Sequence, residues 1–204
     1  MPADRYLHRP ATQIRRKDRA LADPEWMDRL LAAAAFGHLA LTWQDRPILH
    51  SNLYWYDGER IFLHTAGVGR LRAILDLGPA AACFTVAEYG RLLPADTPFD
   101  FSVEYASVIL YGTALEVTDR PAKRRALEGL MSKYAPHLQP GVDYTPMPDD
   151  DIDQTSVHCI EITERVGKHN VKPADYPGYV YRGEPFIETE RAAGRYTIKA
   201  KELS

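Results

Sequence analysis

Ile61-Phe62-Leu63-His64-Thr65-Ala66-Gly67-Val68-Gly69-Arg70-Leu71-Arg72 is the stretch on which the reading of this chain turns. Ile61, Phe62 and Leu63 read as a strand that delivers His64 and Thr65 to a loop containing Gly67 and Gly69. Leu71, Ile74 and Leu75 then recur at helical spacing, and Gly78-Pro79 ends the run. A strand, a glycine turn and a helix start bearing arginines make a place to hold an anion. Unpaired N–H groups point outward there, and guanidinium adds charge-assisted hydrogen bonds. The stretch predicts a phosphate site with Gly69, Arg70 and Arg72 as candidate ligands. On a helix, residues two apart point to nearly opposite sides, so both arginines converge only if helical pitch begins after Arg70.

Working outward, Leu39, Leu41 and Trp43 alternate with Ala40 and Thr42 as a strand. A turn at Asp45-Arg46-Pro47 leads to a second strand, Ile48 to Tyr56. Asp57-Gly58 is a two-residue hairpin signal. It pairs Tyr56 with Glu59, and so places His64 opposite Ser51 and His50 opposite Thr65. Ser51, Leu53, Phe62 and His64 then share one face, and His50, Asn52, Leu63 and Thr65 the other; a bulge would exchange them.

A helix is expected from Asp23-Pro24, with Trp26, Met27, Leu30, Leu31 and Ala34 on its apolar stripe and Gly37 as its stop. Ala80 to Val86, Ser102 to Val117 and Val157 to Ile162 read as further strands, Pro121 to Tyr134 as a helix, and the Pro- and Asp-rich residues 135–155 as a solvated loop. Both faces of Ser102–Val117 are largely apolar, which a curled, barrel-like sheet explains better than an open one. The expected fold is mainly β with flanking helices (α+β), a six-stranded antiparallel split β-barrel. Residues 1–20 form a basic arm, 21–170 the barrel domain, and 171–204 a C-terminal extension.

Composition narrows the functions. The 204 residues are 45% hydrophobic and 26% charged, as in ordinary globular proteins. A formal net charge of -3 argues against a dedicated nucleic-acid binder. The longest apolar stretch, Leu30 to Phe36, is too short to span a bilayer, and the N-terminus has no apolar block, so a cytoplasmic location without membrane attachment is expected. Cys83 and Cys159 sit in apolar strands and read as packing residues. No His/Cys/Asp cluster has metal-ligand spacing, and no glycine-flanked serine elbow supports a Ser/His/Asp triad. His64 reads either as a site residue or as a hydrogen-bonded structural histidine; His50 and His158 read as structural.

The order of these pieces resembles the FMN-binding split-barrel superfamily of pyridoxamine 5'-phosphate oxidase, and within it the nitroimidazole-resistance branch. The resemblance covers roughly residues 13–170. It runs through Arg15-Arg16-Lys17-Asp18-Arg19, Phe36-Gly37-His38-Leu39-Ala40, Leu63-His64-Thr65-Ala66 with Gly69-Arg70, and Ala82-Cys83-Phe84-Thr85-Val86. It continues with Tyr105-Ala106-Ser107-Val108-Ile109, Tyr111-Gly112-Thr113-Ala114 and Gly167-Lys168. Relatives often carry adjacent basic residues after the loop glycine; here Leu71 interrupts them.

The resemblance implies a homodimer with FMN at the subunit interface. By position, Ser51, Asn52 and Leu53 would line the flavin, and His64 and Thr65 would lie close to it, with His64 nearest the redox centre as the catalytic candidate. Gly69, Arg70 and Arg72 would hold the phosphate. Tyr105 and Ser107 would come from the partner's long strand, and Lys168 would approach the same pocket. The implied activity is an FMN-dependent oxidoreductase taking electrons from NAD(P)H and reducing a small substrate, with nitroaromatics one candidate class and the natural acceptor left open. Alternatives are a non-catalytic flavin- or haem-binding protein and a deazaflavin-dependent reductase on the same fold.

Overall fold

A computed structural model describes residues 10–181, 183 and 186–194. The outermost parts of the basic arm and of the C-terminal extension lie outside these residues. After a 3-10 turn at Lys17–Arg19 come β1 (Ala20–Leu21), α1 (Pro24–Ala33), β2 (Gly37–Trp43), β3 (Arg46–Asn52), β4 (Trp55–Tyr56) and β5 (Arg60–Ala66). Then follow α2 (Arg70–Leu75), β6 (Ala80–Leu93), β7 (Ser102–Glu116), α3 (Arg120–Tyr134), α4 (Asp149–Gln154), β8 (Thr155–Asn170), β9 (Tyr179–Val180) and α5 (Phe186–Ala192).

The strands form an antiparallel sheet in the order β3-β2-β6-β7-β8-β5-β4, which is not closed, as a split barrel requires. The six long strands are those the sequence announces. The two-residue β1, β4 and β9 are additional; β1 pairs β8 and β9 pairs β6. Met27, Leu30 and Leu31 of α1 pack with Leu39, Leu41, Tyr54, Phe84, Val108 and Leu110 into the main core. Leu127 and Leu130 of α3 join Phe62, Val157 and Cys159 in a second cluster.

Helix α1 begins as its cap predicts: the Asp23 carboxylate accepts from Trp26 N at 3.1 Å, and Pro24 occupies the first turn. Its stop differs from expectation. The helix ends at Ala33, and Gly37 is the first residue of β2, where any Cβ would sit 2.1 Å from the Phe84 ring. Close packing, not capping, demands that glycine.

Both hairpin turns also differ from the sequence reading. Gln44 and Asp45 hold the first turn with φ of 48° and 58°, pairing Trp43 with Arg46. No glycine announces this primed turn, which is why it was expected one residue later. At the second, Asp57 accepts from Glu59 N at 2.9 Å and from Arg60 N at 2.7 Å, fixing a longer connection. Tyr56 pairs with Ile61, not Glu59, and the ladder stops after two pairs.

It stops because Tyr54 turns fully inward between β3 and β4, its ring 5.0 Å from Phe84 and its hydroxyl donating to Leu31 O at 2.6 Å. The expected pairing of β3 with β5 is therefore absent. Ser51 faces His38 on β2, and His64 faces Val157 on β8.

Two elements exceed their sequence signals. The acidic run expected as a solvated loop forms α4, because its carboxylates meet arginines of α3. Arg124 donates to Asp149 at 2.5 Å, and Arg120 pairs with Asp153. Strand β8 continues eight residues past Ile162 because Thr163 is bulged out, its hydroxyl donating to Tyr111 O at 3.1 Å, which reverses the alternation beyond it.

The chain divides into two compact units. One comprises the residues up to Tyr89 together with Glu104–Lys172; the other comprises Gly90–Val103 and the segment from Pro173 onward. In the second unit Arg91 and Leu92 pair with Val180 and Tyr179, and the Arg91 guanidinium donates to the carbonyls of Pro173, Ala174 and Tyr176 at 2.9–3.1 Å.

Candidate functional site

Of the residues singled out in the sequence, His64 and Thr65 lie at the end of β5, Gly69 and Arg70 follow it, and Asn52 is hydrogen-bonded to it. His64 is exposed, and its backbone carbonyl accepts from Asn52 Nδ2 at 2.8 Å. The other amide atom, Asn52 Oδ1, accepts from Leu53 N at 2.9 Å. One side chain thus ties the end of β3 to β5, two strands that share no ladder. Ser51 is exposed, with its hydroxyl 2.8 Å from His38 Nδ1, and Leu53 is 40% exposed. The His64 ring reaches solvent but has protein packed behind it. That desolvation lowers its pKa, favouring neutral imidazole.

The glycine loop is held by two different constraints. A Cβ at Gly67 would lie 2.5 Å from the backbone oxygen of Gln154, so the loop can rest on α4 only without one. Gly69 has φ of +150° and open space around it, so here backbone conformation demands glycine. Arg70 follows, exposed, with no hydrogen bond or ion pair to the described residues.

Arg72 points the other way. Its Nε donates to Asp76 Oδ1 at 2.6 Å, and its Nη1 to Glu116 Oε1 at 2.9 Å and to Ser156 Oγ at 3.0 Å. The two arginines diverge as helical spacing requires. Of the pair, only Arg70 presents its charge outward.

Beneath the loop, Glu116 and His158 are cross-strand partners on β7 and β8. Glu116 Oε2 lies 2.6 Å from His158 Nδ1, and Thr65 Oγ1 lies 2.9 Å from His158 Nε2. His158 is fully buried, and its pKa is pushed down to about 4, first by desolvation and then by the Arg72 charge. Burial raises the Glu116 pKa, while Arg72 and Lys123 oppose the rise. The sequence reading gave His158 a structural role and did not single out Glu116, Ser156 or Asp76. Their only sequence signal is a carboxylate ending an apolar strand, and it becomes legible once the register sets Glu116 opposite His158.

Tyr105, Ser107 and Lys168 gather elsewhere. Ser107 pairs with Lys168, whose ammonium is 5.8 Å from the Tyr105 ring centroid. Along β8, Lys168 is separated from Val157, the partner of His64, by roughly 35 Å of strand at about 3.3 Å per residue. A single chain does not bring these three to His64. A cavity of about 380 Å³ between α3 and the 140–148 loop is lined by Leu127, Met131, Tyr144, Met147 and Ile152, and by none of the residues named from the sequence. Among the described residues, no His/Cys/Asp/Glu group could hold a metal ion, and no helix is long and apolar enough to cross a membrane.

A family model described as pyridoxamine 5'-phosphate oxidase matches residues 23–169. The chain belongs to that family. The matched span contains every residue considered above for the site, from Ser51 to Lys168. Solved structures repeat the fold of this pyridoxamine 5'-phosphate oxidase family member. The flavocytochrome Anf3 from Azotobacter vinelandii has a TM-score of 0.70 at 22% identity, covering 87% of each chain. An FAD- and haem-binding protein from Mycobacterium smegmatis has a TM-score of 0.67 at 19% identity, covering 91% of each. A 5-nitroimidazole antibiotic resistance protein from Bacteroides thetaiotaomicron has a TM-score of 0.61 at 17% identity, covering 74% of this chain and 86% of that one. A search of curated proteins returns no match.

Proposed function

We propose that this protein binds FMN at the end of β5 and acts as an oxidoreductase on a small acceptor, nitroaromatic compounds among them, with NAD(P)H as donor. The observation that carries the reading is Arg70. An exposed guanidinium with no acidic partner among the described residues stands directly after Gly69, just past the loop that follows the exposed His64. That donor set suits a phosphate followed by a polar ring system. FMN would supply the electron-transfer chemistry; the protein supplies anchoring and orientation.

In this reading Arg70 and the Gly69 backbone hold the phosphate, and Ser51, Asn52 and Leu53 line the ring. His64, whose partial desolvation favours neutral imidazole, positions the acceptor by donating a hydrogen bond from its imidazole N–H. Arg72 acts as an internal strut. Tyr105, Ser107 and Lys168 belong to a second site edge, delivered by the partner of a homodimer. The half-exposed face of β7 carrying Tyr105, Ile109 and Tyr111 favours such a partner. Cofactor binding without turnover is the second reading, favoured by the flavin and haem named for the two structures of highest TM-score above.

Mass analysis of whatever co-purifies tests the proposal first: FMN is expected, while FAD or haem redirects it to the second reading. Arg70→Ala should weaken FMN binding roughly 10- to 150-fold, the loss of one charged hydrogen bond. NAD(P)H turnover against an acceptor panel separates enzyme from carrier, and sedimentation equilibrium tests the dimer. Colourless protein that does not quench FMN fluorescence at high micromolar concentration would overturn the flavin reading.

A further inference from the structure

Apart from the residues assigned to flavin, the cavity of about 380 Å³ beside α3 has the build of a small-molecule pocket. Such pockets occupy about 300–1,000 Å³ and are largely preformed. One wall is a single stripe of α3, where Arg124, Leu127, Glu128 and Met131 recur at helical spacing. Leu127 and Ile152, 6% and 0% exposed, give it an apolar floor. The facing wall, residues 140–148, is fixed at both ends. At one end Arg124 donates to Met147 O at 3.0 Å and to Asp149 at 2.5 Å. At the other, Gly141 N donates to Tyr144 O at 2.8 Å, and Gln139 N to Asp143 Oδ2 at 2.8 Å. Pro146 and Pro148 restrict the backbone of that wall further.

The charges around this cavity are one-sided. Arg124 is the one cation lining it, and its guanidinium is already engaged by Met147 O and Asp149. Glu128 and Asp151 also line it. Both are exposed, and among the described residues neither carboxylate has a hydrogen-bond or ion-pair partner. A cleft that carries one sign of free charge concentrates the opposite ion. Met131, Met147 and Tyr144 add polarisable surface, and methionine adapts its shape to a planar guest. We infer that this cavity is a second ligand site, for a small aromatic amine whose ring rests over Leu127 and Ile152 and whose ammonium faces Glu128 and Asp151. The carboxylates that attract an ammonium repel an anion, so the site does not compete for a phosphorylated cofactor. The inference is independent of the flavin reading, since it uses no residue assigned to FMN.

Methyl NMR of the full-length protein, labelled with carbon-13 at methionine and free of added flavin, tests this directly. The chain has four methionines. Met131 and Met147 line the cavity, and Met27 lies in the main core as an internal control. Tryptamine should shift the Met131 and Met147 methyl signals saturably and leave Met27 in place. Tryptophol, the alcohol of the same shape, should bind more weakly, and indole-3-propionate more weakly again. Glu128→Gln and Asp151→Asn change exposed side chains and leave the core intact. Each should weaken tryptamine about 1.5- to 5-fold, as for solvent-screened ion pairs, and leave tryptophol unchanged. Tryptamine that shifts neither cavity methionine by about 20 mM would overturn the inference, because even a weak ligand of its size saturates below that. Indole-3-propionate binding as tightly as tryptamine would overturn it too, as would unchanged tryptamine affinity in the Glu128→Gln/Asp151→Asn double variant. A protein that binds no FMN refutes the flavin reading alone, since none of these measurements involves FMN.

Discussion

Arg72→Met probes the interior half of the site and leaves Arg70 in place. Methionine keeps much of the stem and removes the guanidinium. In the wild type that group meets Asp76, half-exposed, and Glu116, whose side chain is 8% exposed. The Asp76 arm is worth about 0–1 kcal/mol, as for other solvent-screened pairs. The Glu116 arm carries the rest, because its removal leaves a buried carboxylate beside a neutral histidine, a loss of about 3–5 kcal/mol. For a chain of this size each kcal/mol lowers Tm by about 2–4 °C, so a fall of roughly 6–20 °C is expected. Circular dichroism with a parallel urea titration on flavin-free protein reads it.

Adding Glu116→Gln should recover a large part of the loss, since no buried charge is then unpaired. The deficit should also narrow toward pH 5. Burial already raises the Glu116 pKa, and losing Arg72 raises it further. A carboxyl whose folded pKa exceeds its unfolded value binds protons preferentially in the folded state, so stability rises as pH falls toward the unfolded value. An Arg72→Met protein as stable as wild type but with FMN affinity reduced tenfold or more would refute the reasoning; Arg72 would then be a ligand, not a strut.

Gly67→Ala places a Cβ 2.5 Å from Gln154 O, a backbone atom that cannot rotate away. It should cost about 1–3 kcal/mol by urea titration and weaken FMN binding as Gly69 and Arg70 are displaced. His158, kept neutral down to about pH 4 against an ordinary value of 6.5, makes the fold acid-sensitive. Its contribution is complete above pH 6.5 and declines by roughly 3 kcal/mol by pH 4, because the unfolded chain takes the proton first. Glu116 acts in the opposite sense, so the effect is read as the difference in pH dependence between wild type and His158→Gln.

The sequence disclosed the long strands, both major helices and the β5–loop–α2 unit, since each carries a local period or a punctuating residue. It misplaced what depends on particular side chains meeting across the chain. Tyr54 turning inward cannot be read from Leu53-Tyr54-Trp55, yet it separates β3 from β4 and redirects the partners of Ser51 and His64. Thr163 bulges out of a run too charged to look like a strand, hiding half of β8. Helix α4 depends on arginines 25 or more residues earlier in the sequence. At the site, the opposed directions of Arg70 and Arg72 follow from helical spacing alone. The role of Arg72 does not, because Glu116 and Ser156 are distant in sequence.

Arg91 carries a consequence for the second unit. One planar guanidinium satisfies three carbonyls within four residues of chain, Pro173 to Tyr176. A lysine there has a compact ammonium on a flexible stem and could not span the same acceptors in one geometry. The 173–176 turn is thus gathered by a fork-shaped latch, and a protease should find it newly susceptible once that latch is shortened or rounded off.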